Sequence, residues 1–309
     1  MNALSGLAIL ALAGAAPAPD GAGEPDLRFG WRGGDTARVT LTDERRLGGT
    51  LRSSGISMRL TVGPDGPTDR LVIRFSDRRV ASGDQRSIAS ADPESIGVAV
   101  ARVLAQATPA FVVTAEGDFV QARDLDATAR EVMAASQFPA MPSAPRAFGE
   151  VLAELAEEDW SAWVALWRGE RLAPGAWLAN EATVSFHGEP VRVTLTRRGL
   201  EPGAAGRVRM EAVAVYPSDA VRSYTSGFLL DLAIQAKELG DDPEVNARFL
   251  ERASFSPVTE KLTVDLEAAT MHPLVVERER TFSAVAGKHW VEGRERRVHR
   301  FEWEASSRP

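Results

Sequence analysis

The chain contains no cysteine, so histidine and carboxylate side chains are what remains to bind a metal or move a proton, and there are four histidines. His187 and His272 stand beside turn residues, Gly188 and Pro273, where a solvated or structural role is the simplest expectation. His289 and His299 fall on the two arms of a hairpin predicted around Gly293-Arg294. In a two-residue turn there, Glu292 faces Glu295, His289 opposes Val298 and His299 opposes Lys288, so the imidazoles point to opposite faces. A slip by one residue would pair them and offer a metal site. It would also break up the apolar face that this register builds from Ala284, Ala286, Trp290, Phe301 and Trp303, so no metal site is expected.

The usual catalytic signatures are missing: no G-x-S-x-G elbow, no H-E-x-x-H, no phosphate-binding loop and no G-x-G-x-x-G. No catalytic residue is assigned and no cofactor is expected. A hydrolase working through two carboxylates stays as an alternative, because a fold can place such a pair without any sequence spacing. Asp241, Asp242, Glu244 and Asn246 offer oxygen ligands but miss the calcium-loop spacing, and helix capping accounts for Asp242. Arg278, Arg280, Arg296 and Arg297 are interleaved with Glu277, Glu279 and Glu295, which predicts cross-strand ion pairs on a wet face.

Trp160, Trp163 and Trp167 repeat at i, i+3 and i+7, one face of a helix. Core packing is the plain reading of such a stripe. The functional one is that these rings, with Trp290, Phe301 and Trp303, line a cavity for an apolar ligand. Glu154, Glu157, Glu158 and Asp159 are expected to face away from the stripe into solvent.

These residues need elements to hold them. Val39 and Leu41 alternate with Arg38, Thr40 and Thr42, and the same period of two runs through Ile56, Met58, Leu60 and Val62 and through Leu71, Ile73 and Phe75. With Pro64-Asp65-Gly66-Pro67 as a turn, this predicts an antiparallel meander. Helices are predicted from Asp92-Pro93, from Asp124 or Asp126 through Val132, over about 147–167, over 224–238 and from Asp242-Pro243 to near Leu250. A short strand over 110–114 lies between the first two. Strand alternation returns at Val191 to Leu195, Val208 to Ala212, Leu262 to Leu266, Leu274 to Val291 and Arg297 to Trp303.

The apolar run from Leu4 to Ala16, followed by Pro17, Ala18 and Pro19, has the length of a signal-peptide core and is shorter than the roughly 20 residues that span a bilayer. It predicts a leader over 1–15 cleaved after residue 15 to 18, a flexible lead-in over 16–26, and one β-rich domain over 27–305. Its n-region carries no Lys or Arg, a departure from the usual export signal. The expected place is therefore the periplasm or the outside of the cell. A net charge of -7 argues against a nucleic-acid partner. An apolar ligand or another envelope protein fits better, and no later segment is long and apolar enough to be a membrane helix.

Strands, helices, strands in that order predict an α+β fold: a curved, mainly antiparallel sheet, meander or half-barrel, packed against a central set of helices. That plan looks like that of periplasmic carriers of lipoproteins or lipids. The resemblance is architectural, covers most of the mature chain and rests on no matching residue set. It implies a non-enzymatic binder, carrier or envelope component. A purely structural or interaction protein is a further alternative.

Overall fold

The computed structural model describes residues 27–47, 50–80, 108–135, 144–170, 172–186, 189–222, 225–226, 229–230, 242–287 and 289–304. The predicted leader and lead-in, His187, the helix predicted from Asp92 and most of the one over 224–238 lie outside them.

The meander forms where alternation places it: β1 (Thr36–Leu47), β2 (Thr50–Pro64) and β3 (Leu71–Val80), with Gly66 at a φ of 62° in the turn between the last two. β4 (Ala110–Val113) and β5 (Phe119–Arg123) extend it. Helix α1 (Leu125–Ala135) and helix α2 (Ala144–Trp160) follow, and α2 runs into a π-helical turn, Ser161–Ala165. A second meander comes next: β6 (Trp177–Phe186), β7 (Glu189–Leu200) and β8 (Arg207–Tyr216). Helix α3 (Pro243–Glu251) starts where Asp242 accepts from the N–H groups of Glu244 and Val245, and β9 (Ser254–Phe255), β10 (Val258–Glu267), β11 (Pro273–Ala286) and β12 (His289–Trp303) complete the chain.

All of these strands belong to one sheet in the order β5-β4-β3-β2-β1-β12-β11-β10-β8-β7-β6, with β9 beside β11, and every strand pair is antiparallel. The seam of the two wings is the β1–β12 ladder, where Val39 lies opposite Phe301 and Leu41 opposite His299. Period-two alternation then gives one buried face across both wings: Ile73, Leu60, Val39, Val264, Met210 and Val193 all point to it.

The expected α+β plan is corrected here. The described residues are mostly strand, 56% against 17% helix, and form one large open sheet rather than a sheet packed on a central set of helices. The physical reason is strand length. The stretch around Gly293-Arg294, read as a turn, instead continues β12, which runs for 15 residues beside the 14 of β11. Their charges are matched by ion pairs across the strands.

The hairpin register is corrected too. Its turn lies between Ala286 and His289, which are opposed, not at Gly293-Arg294. Gly287 supplies the positive φ, 60°, that the reversal needs. Gly293 sits inside β12 opposite Phe282, whose ring covers it. In the true register the odd residues of β12 face inward. Phe301 and Trp303 are therefore on the inner face, whereas Trp290 is on the outer face and 61% exposed.

Candidate functional site

On the inner face the tryptophan stripe is seated by the end of α2. Leu152, Leu155 and Ala156 bury one side of the helix, and the π turn then inserts an extra residue, with the Leu166 N–H donating to the Ser161 carbonyl at 3.0 Å. Such turns are rare and recur at functional sites. Trp160, Trp163 and Trp167 are all fully buried.

Their rings mesh with the sheet. Trp163 meets Phe301 edge-on at 5.0 Å and His299 at 5.1 Å, with Phe111 at 5.6 Å. Trp160 packs edge-on against Trp31 at 5.3 Å, and Trp31 reaches Trp303 at 4.9 Å. Trp160, Trp163, Phe301 and Trp303 thus share one aromatic cluster, with Trp167 buried beside it. Trp290 does not join them.

Indole N–H groups test how complete this packing is. Trp31 donates to Met271 O, Trp160 to Gly117 O, Trp167 to Ala162 O and Trp303 to Pro273 O. Trp163 differs: its buried Nε1 meets no acceptor among the described residues. The Ser161 hydroxyl, Arg297 Nε and His299 Nε2, all buried close by in the chain or in the sheet, are likewise without a hydrogen-bond partner there. A buried unmade hydrogen bond costs about 1–3 kcal/mol.

A layer of charge borders the cluster on the same inner face. In the register, Asp43 of β1 lies opposite Arg297 of β12, Arg297 opposite Arg278 of β11, and Arg280 between Glu295 and Glu260. The helix closes the layer from above with two adjacent carboxylates. Glu158 accepts from Arg278 at 2.8 Å, and Asp159 accepts from Arg297 at 3.2 Å with His299 Nε2 at 3.8 Å. Arg280 pairs with Glu260, and Arg45 with Glu295 at 2.5 Å. Counting Asp43, Glu158, Asp159, Glu260 and Glu295 against Arg45, Arg278, Arg280 and Arg297, carboxylates outnumber guanidiniums by one.

Burial sets the protonation tendencies. It pushes the carboxyls of Glu158, Asp159 and Asp43 above their ordinary range, against the pull of Arg278 on the first and Arg297 on the other two. It pushes His299 well below the ordinary imidazole value, and nearby Arg297 and Arg278 push the same way. His299 is therefore neutral at pH 7.

Two expectations change. Glu158 and Asp159 were expected in solvent, yet their side chains are 1% and 3% exposed. Arg278, Arg280 and Arg297 were expected on a wet face, yet they point inward. Only the outer pairs, Arg296 with Glu277 and Arg294 with Glu279, match the wet reading. The missed signal was phase. Arg278 and Arg280 fall in step with buried Val276 and Phe282, and Glu158 and Asp159 stand three and four residues after buried Leu155.

The remaining histidine with a described side chain is structural in its contacts. His272 stacks on Trp303 with ring centroids 3.9 Å apart, and its Nε2 lies 3.2 Å from Asp35 Oδ2. Among the described residues no group of three or more His, Asp or Glu side chains has the arrangement to hold a metal ion. Among the same residues no helix is long and apolar enough to cross a membrane.

No protein-family model matches the chain, and no curated protein matches it. Among solved structures it is similar to lipovitellin, in a structure concerned with lipid–protein interactions in that protein. The likeness has a TM-score of 0.40 at 8% identity and covers 90% of this chain but 26% of the lipovitellin chain. The chain thus spans about a quarter of that protein, and at this level of likeness neither a shared fold family nor a ligand follows.

Proposed function

We propose that the protein is an exported, non-enzymatic carrier that holds an apolar ligand on the inner face of its open sheet. One observation carries this reading. The inner face is apolar on strands of both wings, from Phe111 on β4 to Val184 on β6, with the charged layer confined to its middle strands. On β6, β7 and β8 it carries small side chains, Ala182, Val184, Val191, Val193, Ala212 and Ala214, beside the larger Leu195, Met210 and Tyr216. These residues are buried, so loading requires the inner face to open.

The test is a titration of the mature chain with N-phenyl-1-naphthylamine, a dye that fluoresces in apolar surroundings. Saturable binding, lost in an Ala212→Trp variant that keeps its far-ultraviolet circular dichroism, is the expected result. Absence of saturable binding overturns the reading. The export part is tested by the mass of the protein recovered from its host, expected to lack residues 1–15 to 1–18.

A second reading, a hydrolase working through carboxylates, is favoured by the buried Glu158 and Asp159, whose raised proton affinity suits a general acid. Each is tied to an arginine that opposes that role, which is why the carrier is preferred. Hydrolysis of a p-nitrophenyl ester or glycoside that disappears in Asp159→Asn would reverse the preference.

A further inference from the structure

We infer that the carrier's ligand is an acidic amphiphile, an acyl chain ending in a carboxylate or phosphate, whose headgroup takes the place of Glu158 and Asp159 on the opposed arginines Arg278 and Arg297. This rests on the carrier reading and adds the chemical class of the ligand. Two observations carry it.

The first is where the guanidiniums stand. Arg278 of β11 and Arg297 of β12 are direct partners in the ladder, and both are engaged from the inner face by the helix. Like charges so opposed, with Cβ atoms about 4.5–5.5 Å apart, repel, so the pair calls for an anion. Two consecutive helical residues supply it, each through one hydrogen bond: Glu158 accepts from Arg278 Nη1 and Asp159 from Arg297 Nη2. The fit is incomplete. Glu158 Oε1, beside the bonded Oε2, and Arg297 Nε, on the guanidinium that Asp159 holds, are buried without a partner among the described residues. A guanidinium can grip an oxyanion with two N–H groups, and here Arg297 grips its carboxyl with one. Burial also raises the proton affinity of both helical carboxyls, and once protonated they leave the guanidiniums uncompensated.

The second is what remains when the helix end lifts off the sheet, the opening that loading requires. Asp43, Glu260 and Glu295 then face Arg45, Arg278, Arg280 and Arg297, so at most three carboxylates stand against four guanidiniums. Protonation of Asp43, whose affinity burial raises, widens that deficit. An uncharged headgroup leaves the deficit standing, whereas a carboxylate or phosphate fills it with charge-assisted hydrogen bonds. The headgroup needs no separate cavity, because it occupies what the two helical carboxyls vacate. Beyond it the same row of the inner face continues through Leu262 of β10, the ladder partner of Arg278, and Ala212 of β8, the ladder partner of Leu262. Both are apolar and buried, and they give the acyl chain its track.

The experiment measures displacement of the naphthylamine dye from the mature chain by four ligands that share one acyl chain: oleate, 1-oleoyl lysophosphatidate, methyl oleate and oleylamine. At least one of the two anions is expected to bind about tenfold tighter than methyl oleate, with oleylamine weakest, and the tighter anion identifies the headgroup. Asp159→Asn removes a competing charge and should raise the preference for that anion over methyl oleate by a further factor of about three. Asp159→Leu combined with Arg297→Met should cut the preference to about a third or less. Anchoring of the helix alone would shift all four ligands together and leave these ratios unchanged. Methyl oleate binding wild type as tightly as both anions, a result that needs no variant to fold, overturns the inference and leaves the carrier reading standing, as does an unchanged ratio in Asp159→Asn. A dye that does not bind at all removes the carrier reading and this inference with it.

Discussion

The ring of Phe282 on β11 lies over Gly293 on β12, so close that a Cβ at 293 would stand 2.0 Å from Phe282 Cζ. The glycine is there to let an aromatic ring cross the ladder, not to turn the chain. Gly293→Ala is expected to lower stability by about 1–3 kcal/mol, as overpacked cores do, and Gly293→Ala combined with Phe282→Leu to recover part of it. Urea unfolding of the three variants checks this.

Asp159 and Arg297 bind the helix to the sheet from positions 138 residues apart. Asp159→Ala leaves a buried guanidinium without that partner and is expected to cost about 3–5 kcal/mol. Replacing both, Asp159→Leu with Arg297→Met, is expected to be far milder. A double-mutant cycle measured by chemical denaturation would show a coupling well above the scatter of independent sites.

His299 gives the pH dependence a sign. Its folded-state proton affinity is below that of the unfolded chain, because burial and the neighbouring arginines disfavour the imidazolium. Its contribution is fully present above the unfolded value of about 6.5 and is lost as pH falls below it, by at most about 1.4 kcal/mol per pH unit. The raised carboxyls act in the opposite direction over the acid range. The measurement is therefore a difference: below pH 6.5, wild type should lose stability relative to its pH 7.5 value more steeply than His299→Leu does.

Trp160 and Trp290 should answer oppositely to truncation. Trp160 is fully buried and donates to Gly117, so Trp160→Ala is expected to cost about 3–5 kcal/mol. Trp290 is exposed on the outer face, so Trp290→Ala should change stability by less than about 0.5 kcal/mol and leave dye binding intact. Thermal melts of both, with dye titration of the second, decide it.

What could be read from the sequence was local. Val39 with Leu41, and Ile56 through Val62, announce their strands because alternation is a property of a few neighbouring residues. Asp242 announces α3 because a cap needs only the next turn. Trp160, Trp163 and Trp167 announce a buried helical face by spacing alone. The burial of Glu158 could not be weighed in the same way, since its partner Arg278 stands 120 residues later. The mistaken turn at Gly293-Arg294 has a related cause. Glycine serves both tight reversals and close approach of a ring, and only the opposite strand reveals which.

The β1–β12 seam also bears on how the chain acquires its structure. β1 to β5 can ladder up among themselves, and β6 to β12 likewise, since each strand finds its partners nearby in sequence. The middle of the sheet is different: Ala37 waits for Trp303. A chain emerging from its N-terminal end holds an exposed β1 edge until nearly everything else has appeared, and joining ends so distant is slow because of the loop-closure entropy. That interval is when the nascent protein is most open to pairing with the wrong strand, and a helper that shields the β1 edge would shorten it.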